Sequence, residues 1–523
     1  MEALNRDLCK QMKKDKNRLF KNIFILYFRM ILNMLMTFYV IRVVFNVLGV
    51  EDYGIYNVVG GVVMLFQLFN GAMGTAFQRF FSFELGKDKS QADYKKIFTH
   101  SIYINFIIIL VVIILTETVG LWLLNNKLQI EVNRLNAANV VYQYAILSFV
   151  ATIIYTPYYA SIIAHEKMNI FGLISILEVV LKFLSIILLA NIDTDKLILY
   201  SQLSFGIIIV ISTINIIYCL AKFKECRFKV CIDKPLFKSM SSFVFFTAIN
   251  KIAWVAQGQG INIVLNIFFG SIINAARGIA YQVNNAVSSF INNYRTAFNP
   301  QLIKLAANLS ENKAEFVRYA FNSSKYTYLL LLILIIPLIM ETRFVLDLWI
   351  GNHPSETDLF TQIVLITTLI QCFEASFIVV FQALGTIRKI YTYSSVIYVL
   401  VLPISYLLFK FYNMPPETAF YMITVTTTFV VLYNFKALHS SILRIKYYTI
   451  LKDLLLPLLL VTLIALIPIN ILNIIMKESF YKLVAIVLTS TFLILLSSYL
   501  FILTKYEKMK LKNKINKKFL LRK

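Results

Sequence analysis

Apolar stretches of about 20 residues follow one another along almost the whole chain, each long enough to carry an α-helix across ~30 Å of hydrocarbon. Fourteen spans are predicted, at 22–46, 55–78, 99–124, 138–163, 169–191, 197–221, 240–268, 272–299, 320–340, 359–384, 390–409, 418–435, 453–472 and 483–504. The runs are continuous rather than alternating, which excludes a β-barrel. Connections are short. The longest outer one, 341–358, leaves no room for an extramembrane catalytic domain. The expected fold class is an all-α polytopic membrane protein.

One span breaks the apolar rule. Arg277, Tyr281, Asn284, Ser288, Asn292 and Arg295 are spaced by three or four residues, so they share one face of a helix. A polar stripe at membrane depth requires water, protein or a polar cargo beside it. The stripe has a counterpart earlier in the chain. Gly49 and Gly270 each stand just before a span, and Thr75-Ala76-Phe77 matches Thr296-Ala297-Phe298 at the same offset that separates the two glycines. The shifted stripe falls on Tyr56, Gly60, Val63, Gln67, Gly71 and Gly74, a face that is mostly small or polar. The shift equals six spans, an even number, so the repeats share one orientation, as in parallel-repeat transporters. Two six-helix repeats plus two C-terminal helices are expected. Pro157, Pro337, Pro403, Pro457 and Pro468 are expected to kink their helices.

Charge tests the span count. With the N-terminus inside, inner segments carry 37 of the 51 Lys and Arg, outer connections 7 and the spans 7. That bias matches the positive-inside rule and places both termini in the cytoplasm. It accounts for the net charge of +24 without nucleic acid. The predicted organisation is a basic N-terminus (1–21), a six-helix bundle (22–221), a basic linker (222–239), a second six-helix bundle (240–435), two extra helices (436–504) and a Lys-rich tail (505–523) that attracts anionic lipid. The basic lead before the first span is followed by too long an apolar run for a cleaved signal.

Candidate chemistry is electropositive. Arg29, Arg42, Lys182, Lys251, Arg277, Arg295 and Lys325 lie within spans, opposed chiefly by Glu117, Glu178 and Glu374. An unpaired cation at the bilayer centre costs roughly 2.5–3.5 kcal/mol on insertion scales, so this surplus points to an anionic partner. The predicted cavity lining is Arg29, Gln67, Lys251, Gln257, Arg277 and Tyr281 with Asn284, Ser288, Asn292 and Arg295. Snorkelling towards the membrane surface is the competing reading for Arg29, Arg42 and Lys325. Glu178 and Lys182 are i,i+4 neighbours and are expected to pair. Glu374, with Glu178 second, is the candidate for coupling to H⁺ or Na⁺; a cation on another helix is the alternative partner for Glu374. No G-x4-G-K-[ST], H-E-x-x-H or G-x-S-x-G motif is present, and the five cysteines and four histidines form no ligand cluster, so neither enzyme activity, metal nor cofactor is expected.

The opening helices carry a family signature. Asn22-Ile23-Phe24-Ile25-Leu26-Tyr27-Phe28-Arg29-Met30, Leu48-Gly49-Val50-Glu51-Asp52-Tyr53-Gly54-Ile55-Tyr56, Gln78-Arg79-Phe80-Phe81, Asn274-Ala275-Ala276-Arg277-Gly278 and Ala297-Phe298-Asn299-Pro300-Gln301 resemble Wzx-type polysaccharide flippases, relatives of the MATE exporters, over about residues 20–440. The resemblance implies translocation of undecaprenyl-pyrophosphate-linked repeat units, for O-antigen or capsule, between leaflets of a bacterial inner membrane. A central cationic cavity and alternating access come with it. It also implies a polysaccharide polymerase and a chain-length regulator as partners. A MATE-type multidrug or organic-cation antiporter and a membrane polymerase or glycosyltransferase are the rival functions. The first wants an acidic cavity, and the second an outer catalytic loop that this chain lacks.

Overall fold

A computed structural model describes residues 67–503 apart from 88–90, 127–130, 132 and 193, together with 36, 43–44, 47–49, 52, 55–56, 59 and 508–509. Nearly all of the first predicted span, part of the second and nearly all of the Lys-rich tail lie outside the described residues. The described chain is helical throughout. In order come α1 (Gln67–Gly86), α2 (Gln91–Leu115), which runs through a π turn (Thr116–Gly120) into α3 (Leu121–Asn126), then α4 (Leu135–Ala164), α5 (Met168–Asn191), α6 (Lys196–Lys222) and α7 (Lys234–Ala307). They are followed by α8 (Leu309–Met340), α9 (Thr342–Trp349), α10 (Glu356–Leu384), α11 (Ile387–Tyr412) and α12 (Glu417–Ser440). A last pair comprises α13 (Tyr447–Ile450), continued by a π turn into α14 (Leu456–Ile475), and α15 (Phe480–Phe501).

Among the described residues eleven helices are long and apolar enough to cross a membrane, and α7, at 74 residues, holds two predicted spans. The corner within α7 is Gly270, at φ 79° and ψ −169°, a conformation essentially reserved for glycine. Gly49, its partner in the repeat, also has positive φ, 76°. Neither glycine has a heavy atom within 4 Å of where a Cβ would sit. Backbone conformation, rather than crowding, therefore favours glycine at both positions. Helices α1 and α7 run on past the expected ends at 78 and 299. Loss of apolarity marks where a span leaves the membrane but does not stop a helix.

Outward surfaces are apolar. Phe106, Ile217 and Ile263 are each 61% exposed and Leu488 66%, the inverse of a water-soluble surface and what lipid contact demands. Two compact units are present. The first falls within Met1–Ile252 with Asn293–Asn312 and Gln382–Thr392; the second comprises Ala253–Asn292, Lys313–Phe381 and Tyr393–Lys523. In the first, α4 packs against α1, α2 and α6. The Phe81 ring stacks on Tyr94 at 5.1 Å and on Phe98 at 6.0 Å. With lipid as apolar as the core, such close packing replaces the hydrophobic drive of soluble proteins. In the second unit, Phe360 stacks on Phe420 at 4.2 Å. The appended pair α14–α15 is fastened by Tyr328 to Thr462 at 3.0 Å and by a buried Lys482–Glu341 ion pair at 2.8 Å.

In the first unit the ends of four helices converge. A Cβ at Gly86 would lie 2.4 Å from the Lys304 carbonyl oxygen and 2.9 Å from the Ala307 methyl. The Asn308 amide donates to the Gly86 carbonyl at 2.9 Å. On one side of this crossing, buried Arg79 of α1 donates to the Gln382 and Ala383 carbonyls at the end of α10, at 2.8 and 3.3 Å. On the other, Lys304 and Gln301 of α7 donate to Glu166 at the end of α4, at 2.7 and 3.3 Å. Both receiving helices stop at a left-handed residue, Glu166 (φ 58°) and Gly385 (φ 73°). Such an end leaves terminal carbonyls or a carboxylate free to accept.

Candidate functional site

The second unit encloses a cavity of about 280 Å³. The limb of α7 after Gly270 contributes Arg277, Tyr281 and Asn284, and the limb before it contributes Trp254, Gln257 and Gly258. Facing them are Thr367, Thr368 and Gln371 of α10, Tyr398 of α11 and Thr427 of α12. The Gly270 corner folds the two limbs together, so that one helix hairpin supplies both the cation and the amides.

Arg277 is held from both sides. Its Nη2 donates to the Gly258 carbonyl at 2.7 Å and its Nη1 to Asn262 Oδ1 at 3.3 Å. Its guanidinium lies 4.5 Å over the Tyr281 ring, a cation–π contact. Arg277 is only 8% exposed and Gln257 5%. Arg277 Nε and Gln257 Nε2 are nevertheless buried without a hydrogen-bond partner. Asn284 accepts from the Thr368 hydroxyl, and Thr367 bonds Thr424 at 2.6 Å. Tyr398, in the wall, donates to Glu374, and both are buried. Among the described residues lining the cavity Arg277 carries the only formal charge; the rest of the polar lining is amide and hydroxyl.

The predicted stripe thus divides. Arg277, Tyr281, Asn284 and Gln257 come together, whereas Ser288, Asn292 and Arg295 are not part of this lining. Lys251 belongs to the first unit, where its ammonium occupies the space a Cβ on Gly71 would take, 2.6 Å away. Gln67 is exposed on α1, also in the first unit, and Arg29 and Arg42 lie outside the described residues. Glu178 pairs with Lys182 at 2.6 Å on an exposed face of α5. Thr367, Thr368, Gln371 and Glu374 form a second polar stripe at helical spacing on α10 that periodicity alone would have exposed. Nothing local marks Tyr398, whose role comes from its neighbour across the bundle.

A further cluster lies outside the spans. Asp52, in the connection ahead of the second predicted span, is bonded with Asp195 to Arg134, at 2.7 Å for the latter. The Asp52 bond raises the Arg134 pKa. Burial works to raise the Asp195 carboxyl, but the Ile198 and Leu197 N–H groups and Arg134 outweigh it and hold it low. These carboxylates are occupied in a structural bridge. Among the described residues no group of three His, Cys, Asp or Glu is placed to hold a metal, and Cys219, Cys226, Cys231 and Cys372 form no disulfide.

A family model described as polysaccharide biosynthesis protein matches residues 19–306, more than half of the chain. The chain belongs to that family. Its fold is that of MATE transporters. An outward-facing multidrug resistance MATE family transporter of the MOP superfamily aligns with TM-score 0.67 at 13% identity, over 83% of this chain and 97% of that one. MATE in the straight conformation aligns with TM-score 0.66 at 12% identity, over 82% and 97%. A MOP superfamily transporter from Pyrococcus furiosus, whose binding pocket has reverse polarity, aligns with TM-score 0.63 at 14% identity, over 82% and 97%. No curated protein matches the sequence.

Proposed function

We propose that this polysaccharide biosynthesis family member is a flippase that carries undecaprenyl-pyrophosphate-linked oligosaccharide repeat units from the cytoplasmic to the periplasmic leaflet of the inner membrane. The observation that carries the reading is buried Arg277, set among neutral amides and hydroxyls in a membrane-embedded cavity. Such a wall suits a hydroxyl-rich cargo with negative charge. An organic cation, the cargo of a multidrug antiporter, would meet a like charge there. Lys251, Arg295 and Arg29 are assigned to the headgroup's path elsewhere along the protein. Ser288, Asn292 and Gln67 are assigned to sugar hydroxyls on the same path.

Two like-oriented six-helix repeats with two appended helices would rock to expose the cargo alternately to each leaflet, with both termini in the cytoplasm. Glu374, bonded by Tyr398 in the cavity wall, is the proposed site of H⁺ or Na⁺ coupling, and Glu178 is kept for its lysine partner. A polymerase and a chain-length regulator would use the product at the outer leaflet. The test is complementation of a strain lacking the protein by Arg277→Gln and by Arg295→Gln. Loss of surface polysaccharide with normal membrane levels is expected; full export by both variants refutes the role of the two arginines, and normal surface polysaccharide in the strain lacking the protein refutes the flippase.

A further inference from the structure

We infer that the cavity of the second unit receives one sugar ring bearing a single carboxylate, a hexuronate-type residue of the cargo, and that the diphosphate is held elsewhere. The inference rests on the flippase reading and names which part of the cargo this site takes. Size is the first argument. The cavity measures about 280 Å³. That is the lower end of small-molecule pockets, with room for one ring and not for a repeat unit.

The second argument is the donor set. Gln257, Asn284, Gln371 and the paired threonines each present groups able to donate and accept, the pattern that vicinal hydroxyls need. Tyr281 and Trp254 add aromatic faces for the apolar side of a ring. Charge is the third. Arg277 is the single charged group among the described lining residues, and two of its five N–H groups already go to Gly258 and Asn262. One half-engaged guanidinium matches one carboxylate, which it can hold through paired, charge-assisted bonds. A diphosphate brings at least two negative charges and would leave one unmatched by any charged group of this lining. A neutral ring would leave the arginine without a counter-charge. Independently, Gln257 Nε2 and Arg277 Nε are buried and unpartnered, so the site is incomplete as it stands.

The experiment uses the full chain in lipid nanodiscs and measures binding of methyl glucuronide, methyl glucoside and inorganic pyrophosphate by saturation-transfer NMR. The uronide is expected to bind about tenfold tighter than the glucoside. Arg277→Gln should erase that difference, and pyrophosphate should not displace the uronide. Should Arg277→Gln not fold, Arg277→Lys keeps the charge without the fork and is expected to lose most of the preference. Equal binding of the two glycosides, or displacement of the uronide by pyrophosphate in the parent but not in the variant, overturns the inference. Surface-polysaccharide complementation separates the two readings. Export lost in Arg277→Gln with no uronide preference in the parent sinks the subsite alone; uronide preference with surface polysaccharide undiminished in the strain lacking the protein sinks the flippase assignment alone.

Discussion

Gly86→Ala is the sharpest perturbation of the helix crossing in the first unit. The added methyl would stand 2.4 Å from the Lys304 carbonyl oxygen, 2.7 Å from its Cα and 2.9 Å from the Ala307 methyl. Two of those atoms are backbone of a continuous helix, so no side-chain rotation relieves the overlap and the ends of α1 and α7 must separate. Overpacking of this kind costs roughly 1–3 kcal/mol. Alanine also favours the helix itself by about 1 kcal/mol, but that gain is the same whether the ends are together or apart and cancels from their equilibrium. The constant for the closed crossing should therefore fall roughly 5–150-fold.

Cysteines at Lys87 and Asn308, in a background without the native thiols, report the crossing through disulfide trapping. Trapping should drop sharply in Gly86→Ala. It should not change in Gly206→Ala, where an added methyl meets nothing within 4 Å. Equal trapping in Gly86→Ala and the parent would refute the reasoning, since the contact would then be too soft to set the equilibrium.

Removing one partner of the buried Lys482–Glu341 pair, as in Lys482→Met, should cost about 3–5 kcal/mol, and Lys482→Met with Glu341→Gln should recover most of it. Thermal unfolding in detergent measures both. Gly270→Ala forces a side chain into the corner of α7 and should destabilise by about 1–3 kcal/mol with weaker uronide binding, because the same corner brings Gly258 to Arg277. His353 bonds the Gly351 carbonyl at 3.0 Å and Asp358 at 2.9 Å, with Asp347 at 3.4 Å, and these raise its pKa. Its contribution to the outer connection is full below the unfolded value of about 6.5 and lost as pH rises through the raised one. Protection factors in this connection, with the intrinsic pH dependence of amide exchange divided out, should therefore fall from about pH 5 to pH 8 in the parent and stay flat in His353→Ala.

Much of this molecule could be read along the line of the chain. Membrane-spanning helices follow from apolar length, because membrane crossing is a local property of about 20 residues. The glycine corners at 49 and 270 were legible through the repeat, and the stripe beginning at Arg277 marked the cavity hairpin. Helical spacing said that Ser288 and Arg295 share a face with Arg277, but one straight face passes many neighbours, and only some of them leave space. Packing decided that Arg277 and Gln257 share a cavity with Tyr398, and that Lys251 instead stands against Gly71. It also decided that Arg79 and Glu166, ordinary charges near span ends by sequence, supply or receive the bonds at converging helix ends. Helix identity depends on residues three and four apart, whereas a cavity depends on which side chains from separate helices fail to fill the volume between them. No periodicity along one line of sequence contains that information.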